Sequence, residues 1–292
     1  MRLSTHPEKD RTADKVEAMA IELGQYGVWQ SVRTIDAELA QLAEQLGFGA
    51  IWVGGSPEED LKAIEQIVAA TQRIPVVTGI VNMWKADAAA VAGSFERINR
   101  RHPDRFVLGV GIGHPEATAQ YRKPLDKIHE YLDQLVEAGV PTDRLVLAAL
   151  GPRVLEVAAE RTAGAHPYLT TPRHTNIARQ VMGDAPLLAP EQKVVVDSDQ
   201  ERARAVGRDT VRRYLGLVNY RNNLLREGWE EHHLSGGGSD ELIDELALHG
   251  EPDAIAAGID SHLEEGADHV GIQVLGEKMS DGYRSLAVEL FA

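Results

Sequence analysis

The chain has 292 residues, a hydrophobic content of 43% and a formal net charge of -15 at pH 7. It holds no cysteine, which excludes a disulfide framework and thiolate metal ligation. The acidic balance lacks the basic footprint of a nucleic-acid binder, and no apolar run reaches membrane-spanning length, so a soluble cytoplasmic protein is expected.

The first residues, MRLSTHPEKDRTADKVEA, are charged and lack the apolar centre of a signal peptide. Residues 1–24 read as an extension, helical from Asp14 to Leu23. From residue 25 onward, short β-rich runs alternate with helical patterns. Tyr26 to Trp29 predicts a strand, and Ile35, Leu39, Leu42, Ala43 and Leu46 predict a helix closed by Gly47. Ala50 to Val53 is the second strand. Ser56-Pro-Glu-Glu59 then has the form of a capping box opening a helix through Leu61, Ile64 and Val68. Val76 to Val81 is the third strand, with a helix from Asp87 to Arg100. Phe106 to Val110 is the fourth, followed by a helix from Leu125 to Glu137. Leu145 to Ala149 and Val154 to Arg161 make the fifth pair, and Ala165 to Leu169 and His174 to Met182 the sixth.

Leu187 to Val196 contains the seventh strand. Ser198-Asp-Gln-Glu201 reads as a second capping box, opening a helix to about Leu225. Residues 226–250 are an insertion with a Gly236-Gly-Gly238 linker and a short helix from Asp240 to Leu248. A helix from Pro252 to Glu265, a strand from Val270 to Leu275 and a helix from Ser285 to Phe291 complete the chain. Eight such βα steps predict parallel strands with helical crossovers, closed as a single (β/α)8 barrel over residues 25–292. Glycines and polar residues recur at the C-terminal end of almost every strand. A ring-shaped site requires that pattern, whereas an open sheet gathers them at one switch point.

The fourth strand raises a question, because FVLGVGIGHPE carries Gly109, Gly111 and Gly113 at every second position. A dinucleotide loop needs G-x-G-x-x-G running into a helix. His114 and Glu116 stand where the third glycine would fall, and the next helix begins much later. Glycine in a strand also marks close approach of a ligand to backbone. Gly111 and Gly113 are therefore read as clearing space for a planar cofactor. Gly109 serves either that purpose or closure of the barrel interior.

FVLGVGIGHPE, with Arg101-His-Pro-Asp-Arg105 and Val76-Val-Thr-Gly-Ile-Val-Asn82 before it, resembles the bacterial luciferase-like monooxygenase superfamily. Leu147-Ala-Ala-Leu-Gly-Pro-Arg153, Ala159-Glu-Arg-Thr-Ala-Gly-Ala-His-Pro-Tyr168 and Leu187-Leu-Ala-Pro-Glu-Gln192 are similar to an actinobacterial branch of deazaflavin-dependent oxidoreductases. The resemblance implies a dimeric barrel. It also implies a cofactor, coenzyme F420 or alternatively FMN, bound at the C-terminal strand ends. It makes Gly79–Ile80 a candidate non-prolyl cis peptide beneath the cofactor ring and gives Asn82 an amide role at the ring edge.

His114 takes the position of a proton-transfer residue, or else only hydrogen-bonds the cofactor. Its ordinary pKa near neutrality suits acid–base work. The sugar-phosphate dehydrogenases of the superfamily carry an aspartate and a histidine after the second strand. This chain has Gly54-Gly55-Ser56 there, which speaks against a sugar phosphate. Gly151 and Arg153, Ala165 and His166, and Arg173 supply strand-end amides, helix N-termini and cations for the cofactor's phosphate. Trp29 and Trp84 are candidates for the substrate-pocket wall, while Trp52 lies within its strand and reads as core. His232-His233 lacks the i, i+4 spacing of a helical zinc motif, so no metal is expected.

The implied activity is hydride transfer between the deazaflavin and a small organic substrate. An FMN-dependent monooxygenase or a non-catalytic flavin-binding barrel are the alternatives.

Overall fold

The computed structural model describes residues 22–113 and 123–292 of the chain. The predicted helix from Asp14 to Leu23 falls almost wholly outside these residues, and so does His114.

Strands β1 (Tyr26–Ser31), β2 (Ala50–Gly54), β3 (Val76–Gly79), β5 (Phe106–Gly111), β6 (Leu145–Leu147) and β7 (Gly164–Ala165) pair side by side, all parallel. The short β4 (Val81–Asn82) continues β3 and pairs with the upper part of β5. β8 (Leu187–Leu188) pairs with β7, β9 (Glu191–Val196) pairs with β11 (Val270–Val274), and β11 pairs with β1.

β8 and β9 are one strand interrupted at Ala189–Pro190, where proline removes a ladder donor. On one edge, the Ala189 and Glu191 amides donate to the Ala165 and Pro167 carbonyls, both at 2.9 Å. On the other edge, the Gly271 amide donates to the Pro190 carbonyl at 2.9 Å. The segment thus joins the two ends of the sheet and closes the barrel, as the eightfold alternation predicts.

Side chains alternate across the wall. Trp29, Trp52, Val77, Val107, Val146 and Ala189 form the barrel interior. Val28, Ile51, Val53, Val76, Phe106 and Leu108 face outward onto the helices. These outward residues are almost completely buried, and each contributes about 1.5–3 kcal/mol through the apolar area it removes from water.

Several helix boundaries follow the sequence. Asp36 caps α1 (Ala37–Leu46) by accepting from the Leu39 amide, and Gly47 closes it in the left-handed conformation. Asp87 caps α3 (Ala88–Arg101) in the same manner.

Both predicted capping boxes need correction. α2 runs over Lys62–Ala70, not from Ser56. Ser56 itself has a φ of 53°, outside helical space, and Glu59 accepts instead from the Asp87 amide at 2.9 Å. Residues 55 and 56 are drawn into the rim of a cleft, and the helix starts only after buried Leu61 anchors the loop. α7 (Gln200–Leu215) is capped by Asp199, one residue later than predicted. The helix then breaks at Gly216, and α8 (Val218–Glu227) follows.

The remaining crossovers are α4 (Pro124–Glu137), α5 (Pro152–Arg161), α6 (Pro172–Met182) and α11 (Pro252–Glu264), with α12 (Met279–Leu290) last. α12 starts well before the predicted Ser285. The insertion holds α9 (Glu231–Leu234), α10 (Asp240–Leu246) and an unforeseen strand, β10 (Ala247–Gly250). β10 pairs with the distal half of β9, from Lys193 to Val196. That edge is left free because β7 ends lower on the barrel, and a free edge recruits a strand.

Candidate active site

A cleft of about 460 Å³ opens at the C-terminal ends of the strands. Its floor is built from the β3–β4 turn, where Gly79, Ile80 and Asn82 line it, and from Gly113 just beyond β5. The Gly79–Ile80 peptide is cis. Gly113 has a φ of 65°, and a Cβ there would lie 2.4 Å from the Asn82 amide nitrogen, so only glycine fits. Asn82 is held by its own loop, its Oδ1 accepting from the Trp84 amide at 2.9 Å.

The glycines of β5 act at different removes. A Cβ on Gly109 would sit 1.9 Å from the Thr78 carbonyl, so this residue closes the barrel wall. A Cβ on Gly111 would meet Ala148 and Ile80 at 2.8–2.9 Å. The space that Gly111 leaves is therefore filled by Ile80 and Ala148, which themselves line the cleft.

His166 forms the inner wall with Trp29. The Trp29 Nε1 donates to His166 Nε2 at 3.1 Å, and His166 Nδ1 donates to the Ala189 carbonyl at 2.6 Å. A carbonyl only accepts, so the proton sits on Nδ1 and the ring is neutral. Burial lowers the imidazole pKa to about 4, with the Ala189 hydrogen bond opposing. The ring also stacks on Trp52, centroids 4.1 Å apart. His166 was expected to be a cation for phosphate, and this geometry corrects that: it is an uncharged surface locked by two indoles. Trp52 and His269 repeat the arrangement deeper in the barrel, with Nε1 to Nε2 at 2.8 Å.

The cation comes from elsewhere. Gly151 is the N-cap of α5 and no side chain caps that helix. The Arg226 guanidinium stands there, with Nη2 3.6 Å from where a Gly151 Cβ would be. Arg226 and Gly151 both line the cleft. Arg153 and Arg173 do not: both stand exposed in the first turns of α5 and α6, and the Arg173 guanidinium lies against Gly228 at the end of α8. Ala165 is buried within β7, and Gly54 makes room for the Trp29 indole, which a Cβ would approach to 2.1 Å. Trp84 lies outside the cleft, with the Lys127 ammonium 5.7 Å from its ring centroid. Among the described residues, no three His, Asp or Glu side chains group as a metal site.

Sequence reading missed the wall opposite the strand ends. Tyr168 follows β7, Tyr214 ends α7, and α8 presents Asn219, Tyr220, Asn222 and Arg226. Asn219, Asn222 and Arg226 stand at i, i+3 and i+7, which places them on one helical face. That polar stripe was the available signal. Just behind the wall, Lys193 and Glu191 form an ion pair at 2.7 Å with no exposure. Lys193 Nζ lies 3.8 Å from the Tyr168 ring centroid. Burial pushes the Glu191 carboxyl up and the Lys193 ammonium down, and their mutual attraction opposes both shifts.

The architecture is that of a luciferase-like (β/α)8 barrel. Residues 24–139 match the model of the luciferase-like monooxygenase family. An F420-dependent secondary alcohol dehydrogenase, solved with an F420–acetone adduct, superposes with a TM-score of 0.73 at 14% identity, covering 91% of this chain and 98% of that one. The coenzyme F420-dependent tetrahydromethanopterin reductase of Methanopyrus kandleri gives 0.69 at 15% identity, covering 92% and 99%. The oxygenating component of 3,6-diketocamphane monooxygenase from Pseudomonas putida, in complex with FMN, gives 0.67 at 13% identity, covering 91% and 96%. At these identities the likeness is one of fold.

Proposed function

We propose that this protein is an oxidoreductase that holds a flavin-type ring in the cleft and passes a hydride between that ring and a small organic molecule. The observation that carries the reading is the convergence of Gly79, Ile80, Asn82, Gly113 and His166 on one cleft, although they come from three separate strand ends. The residues present fit such a group. The cleft surface is mostly apolar or bare backbone, as a flat heterocycle requires. A phosphate fits between the α5 N-terminus and Arg226, where helix dipole and guanidinium act together.

Bound there, a deazaflavin supplies hydride chemistry and a flavin can also supply oxygen chemistry. The chain's own residues bind, orient and exclude water. The Gly79–Ile80 backbone and the Ile80 side chain give the ring a shelf. His166, neutral and doubly tethered, adds a fixed polarisable surface without charge. His114, which follows the predicted fourth strand in sequence and lies outside the described residues, is proposed for proton transfer.

Coenzyme F420 is the preferred cofactor, supported by the branch resemblance and by two fold neighbours that use it. FMN is the second reading, supported by the FMN-bound neighbour. The test is to incubate the protein with each cofactor, remove free ligand by gel filtration and record the absorption spectrum. Retention of F420 near stoichiometry is the expected result, and retention of FMN alone selects the second reading. Retention of neither at micromolar protein refutes the function.

A further inference from the structure

A run of four aromatic rings leads from the inner wall of the cleft onto the wall facing the strand ends. Trp29 and Tyr168 have centroids 5.1 Å apart, Tyr168 and Tyr214 5.2 Å, and Tyr214 and Tyr220 5.2 Å. All four line the cleft. Such a grouping ordinarily suits a cationic ligand, because aromatic faces attract ammonium groups. Here that seat is taken by the protein's own Lys193, 3.8 Å from the Tyr168 centroid and 5.4 Å from that of Tyr214. Among the described residues that line the cleft, the charged one is Arg226 and none is acidic. Glu191, the negative group behind this wall, is already paired with Lys193 at 2.7 Å, so a second cation would find neither an open ring face at Tyr168 nor an acidic residue lining the cleft.

What the wall does offer is a hydroxyl. Tyr168 OH lies 3.3 Å from Gln273 Oε1, which can only accept, and 3.0 Å from Tyr214 OH. The single Tyr168 proton therefore goes to one of two places. If it goes to Gln273, Tyr214 donates to Tyr168 and turns its lone pairs to the cleft, ready to accept from an alcohol. If it goes to Tyr214, the Tyr214 proton is free to donate to a carbonyl oxygen. The two settings differ only by rotation of hydroxyl protons, and they match the reduced and oxidised forms of one C–OH/C=O pair.

We propose that Tyr214, set by Tyr168, determines specificity by reading the oxygen of a neutral alcohol or carbonyl compound with an apolar body, and that Lys193, by occupying the aromatic face, leaves a cationic molecule no seat at this wall. The proposal rests on the oxidoreductase reading of the cleft, but its test does not.

Benzyl alcohol, toluene and protonated benzylamine have one body and three head groups. Their binding to the whole chain is measured by saturation-transfer NMR titration. Benzyl alcohol should bind tightest and benzylammonium weakest. Tyr214→Phe should weaken benzyl alcohol by about 3–10-fold, the worth of one hydrogen bond, and leave toluene unchanged. The toluene value also reports whether the cleft has survived the substitution. Should Tyr214→Phe fail to fold, Tyr214→Leu removes the same hydroxyl and should weaken benzyl alcohol similarly relative to toluene. Benzylammonium binding as well as benzyl alcohol overturns the proposal, as does an unchanged benzyl alcohol affinity in both variants or no detectable binding of benzyl alcohol. Cofactor retention is followed in the same samples. A retained cofactor with the wrong probe order sinks only the substrate class, whereas the right order with neither F420 nor FMN retained sinks only the oxidoreductase reading.

Discussion

Replacing Lys193 by methionine isolates the most costly electrostatic feature of the barrel. In the parent, Glu191 Oε2 receives the Lys193 ammonium at 2.7 Å and, more weakly, the Leu169 amide at 3.4 Å. Glu191 Oε1 has no hydrogen-bond partner. Methionine fills a similar volume but leaves a fully buried carboxylate with one long hydrogen bond. Breaking a buried pair from one side costs about 3–5 kcal/mol, and loss of the ammonium from the Tyr168 face adds roughly 1–2 kcal/mol. For a chain of this size the melting temperature should fall by roughly 5–15 °C.

The penalty should depend on pH in a fixed direction. Burial already raises the Glu191 carboxyl above its unfolded value, and removing the cation raises it further. A carboxyl whose folded pKa is raised contributes stability at low pH and loses it as pH rises through the folded value. Measured against the parent at each pH by urea unfolding, Lys193→Met should therefore be worst at pH 8 and milder at pH 5.5. Lys193→Met with Glu191→Gln should recover most of the loss. Equal urea midpoints for the single and double variants, or a penalty that does not change with pH, would refute the account.

Acid should destabilise the parent steeply. His166, His174 and His269 have pKa values lowered to about 4 and His262 to about 3, all chiefly by burial, while burial raises Glu227 to about 7 and opposes them. At pH 5 the unfolded chain should bind about three more protons than the folded one from these groups, a slope of about 4 kcal/mol per pH unit; calorimetric unfolding in buffers of different ionisation enthalpy counts those protons, and a count near zero contradicts the histidine geometry. Arg226→Gln should weaken retention of either cofactor by about tenfold and flatten its salt dependence, read by fluorescence titration; an unchanged affinity removes Arg226 from the phosphate site. Asp199→Ala should cost about 1 kcal/mol in urea unfolding, because the α7 cap accepts from the Arg202 amide; no change would mean that Ser198 is the effective cap.

The barrel was legible because its code is local and repeated. Alternation along Ala50–Val53 and Phe106–Val110 and helical periods between them suffice to order the strands. The floor of the cleft was legible for a related reason: Gly79 and Gly113 sit where a backbone must come close to something. The opposite wall was not. Tyr168, Tyr214 and Tyr220 look like ordinary core aromatics in sequence, and only the turn at Gly216 swings α8 over the strand ends. Arginines at Arg153 and Arg173 had the right sequence position for an anion site. Neither side chain lines the cleft, and Arg226 reaches the α5 N-terminus from a segment more than fifty residues away. Ser56 shows the converse, a correct capping motif overridden because the loop is held by buried Leu61 and by contacts with the α3 cap.

α7 ends at Leu215, and a Cβ on Gly238 would lie 3.3 Å from the Leu215 side chain. The chain between them leaves α7 and returns to the same spot. That excursion carries Asn219, Tyr220, Asn222 and Arg226, whereas the barrel closes through β8 and β9 without it. It is a cassette with a common entrance and exit. Because loop closure grows only slowly more costly with length, a longer or shorter replacement spliced between Leu215 and Gly238 leaves the barrel's hydrogen-bonded ring intact. The same scaffold could then be given a different substrate wall by exchanging this one segment.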